Sequence, residues 1–352
     1  MSRLYGIPTQ RLVSCAAFLT LLSMSVAAAA EEEASLRPGT GLDLKGVPFK
    51  IVYESLRQTD GKENWELILI NADGSNPVNL TKTPDVSEIY AHASPDGTKV
   101  CFEGEEGTGR NKVRSMYYMN LDGTGRIKIA PNARQACWSP DGNTIAFLKG
   151  EFERYSINDY ATKGVYLYDL KTGEITAHPG EPKLYHLYNL CWSPDGKWFI
   201  ATVHGGMGFN HAILAFPATG VSTLDDVKIT DLTPCRVTGC RPDFSPDGTT
   251  VTWGKTDWDL CVGTFDCSAG TPKVTNVHQI VSCDKEHEVY HTDFSPDGKY
   301  VAFSYGPEAN EMGAGLAPGW NICVTDLNGN WVQITTDGHH NKEPDWVPAK
   351  NR

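Results

Sequence analysis

Five copies of Ser-Pro-Asp-Gly set the frame of this chain. They stand at Ser94–Gly97, Ser139–Gly142, Ser193–Gly196, Ser245–Gly248 and Ser295–Gly298, with serine-to-serine steps of 45, 54, 52 and 50 residues. Serine suits the first position of a type I turn, proline presets φ at the second, aspartate fits the third and glycine accepts a positive φ at the fourth. Trp138, Trp192, Phe244 and Phe294 precede four of the serines and Ala93 the fifth; an apolar run such as Ile145 to Leu148 or Tyr300 to Phe303 follows. A turn of this kind between two β-rich runs predicts a hairpin. One hairpin in roughly 40–50 residues is the period of a propeller blade.

A second family of turns lies between those five. Asn71 to Asn76, Asn120 to Gly123, Asp169 to Gly173 and Asp326 to Gly329 share the Asx-Gly chemistry of a tight turn. Two hairpin turns per unit make four strands, the content of one blade. The first unit has three strands (Phe49 to Tyr53, Trp65 to Ile70 and Val78 to Leu80) and no Ser-Pro-Asp-Gly before them. At the far end, Lys342 to Pro348 repeats the run that precedes the turn, without a following strand. The two fragments complement each other. The expectation is an all-β fold, a six-bladed β-propeller over residues 49–348, closed by a C-terminal strand that completes the N-terminal blade and leaves no free edge. No helical period of useful length is present after residue 30.

Residues 1–30 read as a secretory signal: Arg3 and Arg11 precede an apolar run from Leu12 to Val26, and Ala27 to Ala30 offer small-residue cleavage sites. The apolar run is short for a membrane span. Residues 31–48, with Pro38, Gly39, Gly41 and Gly46, read as a linker. The implied location is periplasmic or secreted, with no membrane span after cleavage and a monomer expected. Loss of the leader takes the formal charge from −12 to −14. A body this acidic repels phosphate, which excludes nucleic acid as a partner. Of the nine remaining cysteines, Cys101, Cys137, Cys191 and Cys323 fall in apolar strand patterns and read as small buried hydrophobes. Cys235, Cys240, Cys267 and Cys283 sit in turns and are the disulfide candidates of an oxidising compartment.

In a propeller the inner strand of each blade borders the central channel. Aligned on the turn, the residue four before its serine (Val347 standing in for the last) forms the column Tyr90, Gln135, Asn189, Arg241, His291 and Glu343. All six are polar, and strand alternation turns their neighbours to the opposite face. Such a ring at the channel mouth suits a ligand or a peptide terminus, or else its members bond one another and water. Histidines crowd loops on the same side: His186, His287 and His340, with His204 and His211 flanking the loop Gly205 to Asn210. If His186, His204, His287 and His340 converge with Glu288 or Glu343, they suit a divalent transition metal; otherwise no cofactor is called for. A histidine beside Tyr188 or Tyr290 suits proton abstraction next to a uronate carboxylate. No His-Glu-x-x-His, Gly-x-Ser-x-Gly or Cys-x-x-Cys-His occurs.

The stretches Asn71 to Thr81, Cys137 to Phe147, Cys191 to Ile200, Asp243 to Trp253, Asp293 to Ser304 and Glu343 to Val347 resemble the propeller repeats of the TolB family. The resemblance implies the six-bladed fold over residues 49–348. Family members join the propeller to an N-terminal α/β domain and serve the Tol–Pal system of the envelope. Here about eighteen residues separate the cleavage site from the first strand, so the expectation is a propeller without that domain. Similar repeats occur in propellers attached to peptidases and in polysaccharide lyases of the oligogalacturonate type. Two functions follow: a non-catalytic binding propeller that engages a protein, peptide or glycan partner of the cell envelope at the channel mouth, or a metal-assisted polysaccharide lyase.

Overall fold

The computed structural model describes residues 41–350, apart from 153–157, 159, 256–258, 285 and 308–318. The expected signal (1–30), the first ten residues of the expected linker (31–48) and parts of the stretches 151–163 and 306–320 therefore lie outside the described residues. Within them the chain forms six four-stranded antiparallel sheets.

The chain enters at β1 (Lys50–Thr59), β2 (Lys62–Asn71) and β3 (Val78–Asn79), the three outer strands of blade 1. Blade 2 is β4 (Val86–Ala93), β5 (Lys99–Glu106), β6 (Val113–Asn120) and β7 (Ile127–Pro131). Blade 3 follows as β8 (Ala133–Trp138), β9 (Thr144–Gly150), β10 (Thr162–Asp169) and β11 (Ile175–Ala177). In blade 4 the strands are β12 (Leu187–Trp192), β13 (Trp198–Gly206), β14 (Phe209–Pro217) and β15 (Thr230–Asp231). Blade 5 holds β16 (Cys240–Phe244), β17 (Thr250–Lys255), β18 (Asp259–Asp266) and β19 (Lys273–Ser282). Blade 6 holds β20 (His287–Phe294), β21 (Tyr300–Pro307), β22 (Asn321–Asp326) and β23 (Trp331–Gln333). The last strand, β24 (His340–Val347), pairs antiparallel with β1 from Lys50↔Val347 to Leu56↔His340. It is the inner strand of blade 1, and the ring closes as the sequence predicts.

Each Ser-Pro-Asp-Gly is a hydrogen-bonded turn. The glycine N–H donates to the serine carbonyl at 2.8–2.9 Å, and the five glycines hold φ between 64° and 74°. The serine Oγ donates to the aspartate (2.6 Å from Ser94 to Asp96) and accepts the N–H that opens the next strand (2.9 Å from Lys99). The repeated aspartates are thus spent on the turn.

Both faces of each sheet are covered by neighbouring blades, so the strands carry continuous apolar runs rather than strict alternation. Val52, Leu67 and Leu69 of blade 1 pack against Val100, Phe102 and Met119 of blade 2. Ile200 and Ile213 of blade 4 meet Trp253 and Phe265 of blade 5. Each such side chain, fully buried, contributes roughly 1.5–3 kcal/mol. Leu44, in the segment read as linker, is 4% exposed and packs with Ile51 and Tyr53, so the end of that segment belongs to the blade 1 core.

The cysteine expectation is corrected. Among the described residues none of the nine cysteines from Cys101 to Cys323 is in a disulfide. Cys235 and Cys267 pack between blades 4 and 5, whereas Cys283 packs between blades 5 and 6 and donates to the His287 carbonyl at 2.9 Å. Cys240 is buried within the inner strand β16. Cys235 and Cys267 thus share one packing cluster and Cys283 belongs to another.

Candidate functional site at the channel mouth

The six column residues share one backbone conformation. Tyr90, Gln135, Asn189, Arg241, His291 and Glu343 all have positive φ, between 45° and 56°. The pairing register shifts at each of these places, between Ile89 and His92 in blade 2 and at equivalent steps in the other five. Every inner strand therefore carries a β-bulge at its column residue. The sequence argument from simple alternation is corrected here: two residues oppose one, and the bulge, not the pleat, aims the side chain. A non-glycine residue in this region costs of order 1 kcal/mol or more. Because six unlike side chains accept the same cost, the strain belongs to the architecture, and the side chains are what this chain has made its own.

The bulges link one blade to the next. The N–H of Tyr90 donates to Glu54 Oε2 (2.9 Å), that of Gln135 to Glu103 Oε1 (2.7 Å) and that of Arg241 to Thr202 Oγ1 (2.9 Å). The N–H of Glu343 donates to Ser304 Oγ (3.0 Å). Each acceptor stands on the second strand of the preceding blade. In blade 3 that position is Leu148, and the Asn189 N–H turns instead to Gln135 Oε1 at 2.6 Å.

Two residues further along each inner strand lies a second column, which the sequence reading missed: His92, Cys137, Cys191, Asp243, Asp293 and Asp345. Asp243 accepts from Phe294 N–H (2.8 Å), Asp293 from Trp346 N–H (2.6 Å) and Asp345 from Ala93 N–H (2.8 Å), always across to the next blade. The Cys191 thiol donates to Asp243 Oδ1 at 3.1 Å, and Asp345 Oδ2 lies 2.8 Å from His92 Nδ1. Cys137 and Cys191, read from sequence as core hydrophobes, thus border a polar space. The alignment that found the first column could have found the second, had the cysteines not masked it.

A cavity of about 70 Å³ lies between the two columns, lined by inner-strand residues of all six blades, among them His92, Cys137, Asn189, Arg241, His291 and Glu343. Only the channel axis satisfies that condition. The volume admits a few waters or one small functional group, not a whole sugar or peptide.

Acids dominate the electrostatics. Burial, with Glu343 nearby, pushes Glu54 up to about 8. Burial raises Asp243 to about 6, and burial plus the charges of Asp345 and Asp243 holds Asp293 well above the usual carboxylate range. Glu343 is also raised by burial, against the attraction of Arg241. On this side the groups satisfy one another. Glu343 Oε1 accepts from Arg241 Nη1 at 2.5 Å and lies 2.7 Å from His291 Nε2. Ser304 Oγ accepts the Glu343 N–H and lies 2.9 Å from His291 Nδ1, the other ring nitrogen. The Arg241 guanidinium also stacks 5.0 Å over Tyr290.

On the other side they do not. Gln135 Nε2, Asn189 Oδ1 and Arg241 Nε are buried without a hydrogen-bond partner among the described residues. The Gln135 amide orientation is fixed by the bond from Asn189 N–H to its oxygen, which makes the orphan a donor. Three consecutive blades thus offer donor, acceptor and donor with nothing to meet them.

The four histidines expected to gather a metal are spread over three blades. His186 bonds the Gly205 carbonyl of blade 4 (2.8 Å) and Glu151, just past β9 of blade 3 (3.2 Å). His287 bonds Asp284 (2.8 Å) and stacks on Tyr305. His340, 1% exposed beside Trp320 and Trp65, is pushed down to about 4 by burial and Lys342. His204 stacks on Tyr160 at 4.7 Å. Among the described residues no group of three histidine, cysteine or acid side chains could hold a metal ion.

No protein-family model matches the chain, and no curated protein does. Solved structures do. TolB from Acinetobacter baumannii matches with a TM-score of 0.61 at 19% identity, over 85% of this chain and 67% of that one. Its fold is TolB-like. Hydrazine synthase of Kuenenia stuttgartiensis matches with a TM-score of 0.59 at 11% identity, over 86% of this chain and 47% of that one. An oligogalacturonate lyase in complex with manganese reaches only 0.41 at 15% identity, over 81% of this chain and 72% of that one, and lends the lyase reading no support. At these identities the TolB likeness establishes the propeller and leaves the activity to the site. Among the described residues no helix is long and apolar enough to cross a membrane.

Proposed function

We propose that this TolB-like propeller is a binding module without chemistry of its own, which takes a segment of a protein or peptide at the channel mouth. The observation that carries the reading is the row of unmet polar atoms on blades 3 to 5, Gln135 Nε2, Asn189 Oδ1 and Arg241 Nε. A buried polar atom left without a partner costs about 1–3 kcal/mol, and a ligand that satisfies it recovers that amount. The complement of donor, acceptor and donor is acceptor, donor and acceptor, the sequence C=O, N–H, C=O of a peptide backbone; a glycan hydroxyl offers the same groups in a less fixed order. The cavity volume limits penetration to one end or one side group, with the rest of the partner lying across the mouth. A periplasmic or secreted location, with a partner in the cell envelope, completes the proposal.

The test uses a substitution that spares the fold. Asn189 has φ 51°, which glycine adopts freely, so Asn189→Gly removes the orphan carbonyl without adding strain. Displayed random peptides and an oligosaccharide array are screened against the wild-type protein and the variant. Peptides held by wild type and released by the variant are the expected result. Peptides that bind both equally place the site elsewhere, and retention of glycans alone replaces the peptide reading by the glycan one.

A further inference from the structure

We infer that the β13–β14 hairpin of blade 4 carries a surface site for a divalent transition metal ion of the kind imidazole prefers (zinc, nickel or copper), with His204 and His211 as its two protein ligands. The site is independent of the channel-mouth reading. The two histidines are directly opposed in register, on the last rung but one before the hairpin tip at Gly206↔Phe209. Their ring centroids are 4.9 Å apart with the planes inclined at 48°. Opposed side chains on antiparallel strands have Cβ atoms about 4.5–5.5 Å apart. Zinc–nitrogen bonds of about 2.0–2.1 Å in a tetrahedral shell place two donor nitrogens within roughly 3.5 Å of each other, a change the side-chain torsions of such a pair can supply.

The rung is held firmly. The adjoining pair Val203↔Ala212 is buried, and the tip turns through Gly205 (φ 82°), Met207 (φ 55°) and Gly208 (φ 87°). The rings are also steadied from outside. Tyr160 stacks on His204 at 21°, and the Tyr188 hydroxyl lies 3.3 Å from His211 Nε2. A phenol at that distance is a loose hydrogen-bond partner, suited to orienting a metal-bound imidazole rather than preventing it. Both histidines are exposed, so an ion reaches them from water.

With two protein ligands and no third acid, cysteine or histidine in place among the described residues, the remaining coordination positions belong to water or to a ligand brought by a partner. Imidazole donors select zinc, nickel and copper over calcium and magnesium, which take oxygen. The acids of the channel would select the reverse.

The experiment is calorimetric titration of tag-free protein with ZnCl2, NiCl2 and CaCl2, for wild type, His204→Ala, His211→Ala and, as a control, His287→Ala. The expected result is one zinc or nickel ion per chain, weakened by at least about tenfold in either hairpin variant and unchanged in His287→Ala. The hairpin variants change exposed side chains, and an unaltered thermal unfolding midpoint without metal verifies that they fold. Zinc binding that survives both hairpin substitutions overturns the inference. So does the absence of zinc and nickel binding in wild type, or calcium binding in preference to zinc.

Discussion

On blades 6 and 1 the channel mouth is closed on itself, with Glu343 between Arg241 and His291 and Ser304 bridging the back of the imidazole. On blades 3 to 5 the same bulge, with the same positive φ, presents atoms that meet no partner among the described residues. The two halves have one backbone and opposite hydrogen-bond balance. Arg241 belongs to both, its Nη1 satisfied and its Nε not. The difference separates what holds the ring from what the ring offers. A side chain bonded across blades is part of the structure, whereas an orphan on an equally rigid frame is available to a partner.

The largest effect is expected where the closed half is broken. Glu343→Ala leaves a buried guanidinium and an imidazole without their carboxylate, and urea unfolding should show a loss of about 3–5 kcal/mol. A loss below about 1 kcal/mol would mean that this half is no more structural than the other. The second effect concerns pH. Glu54, held at about 8 in the fold against an ordinary 4.5, binds a proton on folding through that interval. The folded state then carries more protons than the unfolded one, so stability falls as pH rises from about 4.5 to 8 and is flat outside that window. Glu54→Gln keeps an acceptor for the Tyr90 N–H and removes the titration. Unfolding measured from pH 4.5 to 8 should lose most of this slope and leave the variant more stable at pH 8 by roughly 1–4 kcal/mol. Asp243, raised to about 6, and Glu88, raised to about 7, act with the same sign, as do Asp293 and Glu343, and together they supply the slope that remains. An undiminished slope would show that Glu54 ionises freely. The smallest effect belongs to the open half. Asn189→Gly should unfold within about 1 kcal/mol of wild type, since it removes no intrachain bond of that side chain and eases a positive φ. A loss comparable to that of Glu343→Ala would erase the contrast between the halves.

The architecture was legible because turn chemistry is local. Ser-Pro-Asp-Gly specifies its own geometry five times, and the unmatched run Lys342 to Pro348 could only complete the three-stranded first unit. The first column was legible for the same reason: Tyr90 and its five counterparts stand at a constant distance from the turn. What aims them was not. The bulge depends on bonds from the preceding blade, such as Glu54 to Tyr90 N–H, between residues far apart in sequence and without a common residue type. The second column was hidden because Cys137 and Cys191 read as apolar members of a strand, whereas Asp243 and Asp345 at the same position read as polar. The histidines show the opposite failure. Their crowding in mouth-side loops suggested convergence, yet His287 bonds Asp284 on blade 6 and His340, on blade 1, packs beside Trp65 and Trp320, whereas His204 and His211, tied to one rung of one hairpin, meet.

The pairing of β24 with β1 joins residues 340–347 to residues 50–56, almost the whole length of the chain apart. Until the ribosome has released that last strand, β1 presents a bare row of N–H and C=O groups, and the first blade waits through the synthesis of the other five. Such distant pairing makes final assembly slow and leaves the nascent chain exposed to joining with the wrong strand. Variants that weaken Trp346 or its neighbours should therefore betray themselves first in the yield of folded protein rather than in binding.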